Sequence, residues 1–168
     1  MSRLDPQGTV KRLWKKLPKM PTGEMDYSRS NSAVVVSVFV KHKDKVLLVK
    51  RSNKVTGFRG KWNAVSGYVD ELRPIREIAV KELEEEVRML RGNIKRVYSG
   101  KPYKFIDRGS KRTCIVCPYL VDTKKKPAIR LDWENTSYKW IEPGQITDFD
   151  TVPRLEKSLS NALAALPQ

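Results

Sequence analysis

Histidine is almost missing from this chain: His42 stands alone. Cysteine is nearly as scarce, with Cys114 and Cys117 in the run CIVC. A zinc site of the histidine and cysteine type needs about four ligands, so that class is excluded. The flanking RTCIVCPYLV reads as a strand, on which positions three apart point to opposite faces. Both thiols are therefore expected as ordinary buried or half-buried side chains. Sparse cysteine suits a reducing compartment, and a cytoplasmic location is the expectation. Long apolar runs are missing too. The longest, AVVVSVFV at 33–40, falls far short of the roughly 20 residues a spanning helix needs. The opening MSRLDPQGTVKRLWKK lacks the apolar core of a secretory signal. No membrane partner is expected.

Negative charge is the third deficit. Asp and Glu number 19 against 34 Lys and Arg, a formal net charge of +15. The imbalance is uneven: +7 over 31–66, −3 over 67–90 and +10 over 91–130. One acidic segment thus lies between two basic ones, a pattern that suits an anionic ligand held beside a cation. A basic surface kept for solubility accounts for the total but not for the reversal.

What is present is enough for one domain. The chain has 168 residues, 39% of them hydrophobic, which is sufficient to bury a core. Residues 1–31 are polar and basic, with Pro6, Pro18 and Pro21 as breaks. They read as an N-terminal extension, in which TVKRLWKKL can form a short helix with Val10, Leu13, Trp14 and Leu17 on one side. Residues 32–168 read as the domain proper. SAVVVSVFVK and VLLVKR are strands joined by the turn HKDK. SNKVTGFRGKW is a loop, and WNAVSGYVD is extended and broken at Gly67. Pro74 suits a first helical turn, and Ile75, Ile78, Ala79, Leu83 and Val87 follow with helical spacing. Strands return at IKRVYSG and RTCIVCPYLVD, and residues 153–166 form a closing helix. The order predicts an α/β (α+β) fold of helices layered on a sheet.

The acidic segment repays a closer reading. KELEEEVRM carries four glutamates in five positions. A helix turns about 100° per residue. On that geometry the apolar residues Ile75, Ile78 and Ala79, and the carboxylates Glu85 and Glu86, all lie within about 60° of Glu82 around the axis. The three carboxylates therefore extend the apolar face, whereas Glu77 and Glu84 point away. An inward carboxylate is costly unless compensated, and Glu82 and Glu86, one turn apart, repel each other. A hard cation such as Mg²⁺ or Mn²⁺ is one compensation; a basic cleft is another.

At these residues the chain resembles the Nudix hydrolase superfamily. SGYVDELRPIREIAVKELEEEVRM is similar to the Nudix box, G-x5-E-x7-R-E-U-x-E-E-x-G-U with U a bulky aliphatic. Gly67 matches the first glycine, Glu82, Leu83, Glu85 and Glu86 the E-U-x-E-E core, and Met89 the closing aliphatic. Arg73 stands where the pattern has glutamate, Lys81 where it has arginine, and Arg88 where it has glycine. The glutamate and arginine of the family hold loop against helix; two cations cannot, although Asp70 or Glu71 is within reach of Lys81 along the chain. The flanks, VLLVKRS with GKW before the box and LDWENTSYKWIEPGQI with DTVPRL after it, are also similar.

The resemblance implies a Nudix-type α/β/α sandwich around a mixed β-sheet, and Mg²⁺-dependent cleavage of a nucleoside diphosphate linked to another moiety. It implies Glu82, Glu85 and Glu86 as metal ligands, with a base among them or at Glu134 in DWEN. Lys50, Arg51, Arg59, Lys61, Lys101, Lys104 and Arg112 are candidates for phosphate contacts. Phe105 and Tyr103 are the leading candidates for stacking on a base, with Trp62, Trp133 and Trp140 behind them. The alternative is a Nudix-fold module of weak or no catalytic power that binds RNA or a ribonucleoprotein through its basic surface.

Overall fold

In the computed structural model, which describes residues 3–168, the β-branched runs form strands and the 3.6-periodic runs form helices. A first helix, α1 (Pro6–Lys16), precedes a hairpin of β1 (Ser32–His42) and β2 (Lys45–Arg51). The short β3 (Trp62–Asn63) and β4 (Val65–Tyr68) lead to α2 (Ile75–Val87). Then come β5 (Ile94–Ser99), β6 (Tyr103–Asp107), β7 (Arg112–Thr123), β8 (Asn135–Ile141) and α3 (Leu155–Leu163). The extended segment before α2 breaks at Ala64, between β3 and β4, and not at Gly67.

All eight strands belong to one sheet. Its spine runs β3-β2-β1-β7-β5, with β4 on β1, β6 on β7 and β8 on β2. The β1 and β7 pair is parallel, from Ser32 opposite Thr113 to Lys41 opposite Asp122, and the other pairs are antiparallel. Because side chains alternate along a strand, β1 and β2 divide their apolar residues between two cores. Val34, Val36, Val38, Val40, Leu47 and Val49 join Ile75, Ile78, Ala79 and Leu83 of α2 on one face. Phe39, Val46 and Leu48 join Leu155, Leu159 and Ala162 of α3 on the other. The result is a mixed sheet between helices. Among the described residues no helix is long and apolar enough to cross a membrane.

The N-terminal segment is part of this packing. Val10 and Leu13 of α1 are buried in the α2-side core, with Trp14 and Leu17 against it. Gln7 also satisfies the start of α2. Its side-chain oxygen accepts from the Ile75 amide at 3.0 Å, and its Nε2 donates to the Arg73 carbonyl at 3.1 Å. Pro74 sits just before that helix, at its cap, and makes no side-chain cap bond itself.

The other end of α2 explains one unusual residue. Arg88 terminates the helix in the left-handed region, at φ 56° and ψ 31°, where the Met89 amide donates back to the Leu83 carbonyl at 3.1 Å. A left-handed conformation costs a non-glycine residue about 1 kcal/mol or more. Arg88→Gly is therefore expected to stabilise the protein by roughly 1 kcal/mol, read from the urea midpoint at unchanged slope.

Candidate active site

A cleft of about 550 Å³ lies where β1, β4, β6 and β7 meet the inner face of α2 and the loops after β2 and before β8. Glu82 and Glu85 reach it from α2, Asp70 from the loop after β4, and Glu134 from the loop before β8. Arg51, Lys54 and Phe58 line it from the β2 side, and Tyr103 and Phe105 from β6. Trp133 and Tyr68 stand at its edge, 60% and 44% exposed.

The carboxylates differ sharply in surroundings. Glu86 is 3% exposed. Its two oxygens accept from the Ser66 amide at 3.3 Å and from Asn135 Nδ2 at 3.0 Å. Burial still dominates, with the nearby charge of Glu134 adding to it, and holds its pKa well above the ordinary carboxylate range. Glu82 lies over the backbone of β4. A Cβ placed on Gly67 would come within 2.4 Å of the Glu82 carboxyl group, so the glycine leaves the room this side chain occupies. Burial, then the charges of Glu85, Glu134 and Asp70, push Glu82 up to about 8. Burial likewise raises Asp70 and Glu134. None of Asp70, Glu82, Glu86 and Glu134 has an ion-pair partner among the described residues.

Glu85 is different. Helical spacing turned it inward, yet its side chain is 52% exposed and its Oε1 lies 3.6 Å from Lys81 Nζ. It stands at the rim. Glu84 and Glu77 face away from the cleft and pair with Arg91 at 2.7 and 3.4 Å. Among the described residues no three His, Cys, Asp or Glu side chains are gathered tightly enough to hold a metal ion as they stand. The chemistry of the donor set nevertheless fits a hard divalent cation. It is all carboxylate oxygen, and Glu82 and Glu86 within it are withdrawn from water without an ion-pair partner among the described residues.

The support beneath these groups has been rebuilt. With Arg73 and Lys81 both positive, the sequence offered no pair at the usual positions. The structure supplies one two residues earlier: Lys81 Nζ bonds Glu71 Oε1, and Arg73 Nη1 lies 3.3 Å from Glu71 Oε2. The Lys81 contact holds Glu71 below its usual pKa and raises that of Lys81. The pair ties the loop after β4 to α2. Glu71→Gln and Lys81→Gln are each expected to cost no more than about 1 kcal/mol, since both groups are partly exposed. A double-mutant cycle in urea that shows no coupling would refute the pairing.

Of the candidate phosphate contacts, Arg51 lines the cleft, whereas Lys50, Arg59, Lys61, Lys101, Lys104 and Arg112 do not. Lys50 Nζ sits 5.9 Å over the Trp62 ring, Arg59 Nε donates to the Val55 carbonyl, and Lys61 pairs with Asp150. Lys101 and Lys104 are exposed elsewhere. Arg112 instead braces the cleft wall, donating to the Tyr68 hydroxyl at 2.9 Å and to the Ser30 and Tyr27 carbonyls. Phe105, Tyr103 and Trp133 line the cleft, and Trp62 and Trp140 do not. Sequence reasoning did not single out Lys54, Phe58 or Asn135 as site residues. The aromatic between two glycines in TGFRG was the one available signal for Phe58. Cys114 faces the cleft while Cys117 is buried with its thiol pushed up to about 12, so neither is an activated nucleophile.

A family model, the NUDIX domain, matches residues 29–162. The chain belongs to the NUDIX domain family. The fold of this NUDIX domain agrees with solved structures at low sequence identity. The NUDIX domain of Shewanella oneidensis NrtR, complexed with ADP ribose, superimposes with a TM-score of 0.64 at 18% identity, over 81% of this chain and 89% of that one. A C. elegans Ap4A hydrolase gives 0.63 at 15% identity, over 77% and 93%. A bifunctional NMN adenylyltransferase/ADP ribose pyrophosphatase from Francisella tularensis, complexed with AMP and a Mn ion, gives 0.62 at 21% identity, over 92% of this chain and 44% of that larger one. No curated protein matches the chain by sequence.

Proposed function

We propose that this NUDIX domain is a pyrophosphohydrolase, dependent on Mg²⁺ or Mn²⁺, that cleaves a nucleoside diphosphate linked to another moiety. The observation that carries the reading is the pair of Glu82, half-buried, and Glu86, buried, both without an ion-pair partner among the described residues, beside a cleft whose opposite wall is basic and aromatic. Glu82 and Glu86 would hold the cation, with Glu85 completing the oxygen donors. When bound, the cation supplies neutralisation of the diphosphate and a more acidic water.

The chain's own residues supply the rest. Arg51 and Lys54 offset phosphate charge from the β2 side. Phe58, Phe105 and Trp133 offer flat apolar surface to a base. Glu134 is half-buried with a raised pKa, which suits a group that takes a proton from water near neutral pH. Asn135 and the Ser66 amide fix Glu86, and Gly67 leaves space for Glu82.

The test is nucleotide or phosphate release from a panel of nucleoside diphosphate derivatives with either metal. ADP-ribose and Ap4A head the panel because one structural neighbour was solved with ADP ribose bound and another is an Ap4A hydrolase. Wild type is run beside a Glu82→Gln, Glu86→Gln double variant. Metal-dependent turnover that disappears in the variant supports the reading. Equal turnover by both proteins, or none by wild type on any member, overturns it.

A further inference from the structure

The cleft accounts for only part of the basic surface. A second concentration of charge lies where β1 and β7 finish and β2 and β5 begin. Lys43 and Lys45 are in and beside the turn after β1, Lys95 and Arg96 are on β5, and Lys124, Lys125 and Lys126 follow β7; all seven are exposed. Register brings them together. His42 pairs with Lys45, Lys41 with Asp122, and Ile94 with Thr123. The Lys124 amide bonds the Asn93 carbonyl, and the Lys125 amide bonds Asn93 Oδ1 at 3.1 Å. Lys126 Nζ lies 5.6 Å over the Trp140 ring.

Three carboxylates accompany these cations: Asp44, Asp122 and Glu142. Asp122 is engaged by Lys41 at 3.8 Å and Lys95 at 4.0 Å. The others leave a clear positive excess. Edge-strand lysines can simply discourage strand pairing, which accounts for Lys95 and Arg96 on the edge strand β5. It does not account for the lysines of the β1–β2 turn or those after β7, which sit at strand ends.

We propose that this pole binds the phosphate backbone of RNA, separately from the cleft. Neighbouring strands lie about 4.8 Å apart, so β2, β1, β7 and β5 set the cations over roughly 14 Å. A nucleic-acid strand carries its phosphates a few ångströms apart, so more than one falls within that length. Leu90 is the large exposed apolar side chain near this pole, and Trp140, the aromatic beside it, is only partly exposed and lies beneath Lys126. The contact is therefore electrostatic and indifferent to sequence. It is also remote from the cleft: His42 lies five residues beyond Ser37 of the cleft wall, about 17 Å along β1.

The test compares two variants that each lose four charges. One carries Lys45→Gln, Lys95→Gln, Arg96→Gln and Lys125→Gln. The other carries Lys11→Gln, Arg12→Gln, Lys15→Gln and Lys16→Gln, on the exposed side of α1. Binding of a labelled single-stranded RNA is followed between about 50 and 200 mM salt. The pole variant should bind at least about ten-fold more weakly, and its log–log salt slope should flatten by up to about 3, from roughly 0.7 per lost contact. The α1 variant should stay near wild type, and nucleotide hydrolysis should be unchanged in both. Equal weakening in the two variants would reduce the effect to net charge and overturn the proposal. So would preference for vesicles of anionic lipid over the RNA, or failure of wild type to bind RNA at all. These outcomes are independent of whether the cleft hydrolyses nucleotides.

Discussion

In metal-free buffer the wild-type protein should lose stability as the pH rises from about 5 to about 8, and Glu82→Gln should remove the share of that loss that Glu82 carries. The folded protein keeps the Glu82 proton up to about 8, whereas the unfolded chain releases it near 4.5. Between those values the unfolded state binds fewer protons, so each rise in pH favours unfolding. Below about 4.5 both states are protonated and Glu82 contributes nothing. Above about 8 the penalty is complete, on the order of 5 kcal/mol if Glu82 carries it alone. Glu86, also raised by burial, acts in the same direction. The variant holds an uncharged amide in the same space, so its midpoint in urea should vary less with pH, the remainder coming from Glu86. Adding Mn²⁺ or Mg²⁺ at pH 8 should restore stability to wild type and not to Glu82→Gln. A wild-type midpoint that climbs steadily from pH 5 to 8 without metal would contradict the buried, unpartnered state of this carboxylate. The same substitution should abolish hydrolysis, so that a more stable apo-protein and a dead enzyme arise from one atom exchange.

Gly67→Ala should separate the site from the fold. The added methyl would lie 2.4 Å from the Glu82 carboxyl group, which is too close to persist. What it meets is the end of a flexible side chain, not backbone, so Glu82 swings aside at small cost. The Gly67 backbone is extended and paired with Val36, a conformation open to alanine. Stability should therefore hold or rise at neutral pH, because a costly buried carboxylate is released toward water. Activity should fall on the order of 10²-fold, the usual consequence of displacing a reacting group by about 1 Å. The pH dependence described for wild type should shrink in parallel. Unchanged kcat/KM in Gly67→Ala would mean that Glu82 is not needed where it now stands.

Much of this was legible in the residues. The β-branched run at 33–40 and the apolar spacing through α2 announce their elements, because strand and helix periods are local properties of the chain. The inward direction of Glu82 and Glu86 follows from the same spacing. Helical spacing set Glu85 on the same side of the axis as Ile78, and Glu85 does reach the cleft, but at its rim. Ile78 is buried and Glu85 is not, because the covering sheet reaches one side of the helix and Lys81 draws Glu85 to the rim. An angle about a helix axis reports direction; it does not report where the opposing surface ends.

The replacement of the missing loop-to-helix pair shows the same division. Sequence made plain that Arg73 and Lys81 could not hold each other, and left Asp70 and Glu71 as alternatives. The turn after β4 decides between them, sending Glu71 to Lys81 and Asp70 into the cleft. Residue identity alone determined that this chain carries a hard-oxygen donor set within a basic protein, because carboxylate chemistry and net charge are independent of conformation. Only the tertiary structure decided which carboxylates lose water, which cations face them, and that Phe58, Tyr68, Phe105 and Trp133 share one cleft. Those are outcomes of packing between segments distant in the chain, and desolvation depends on what lies across the gap.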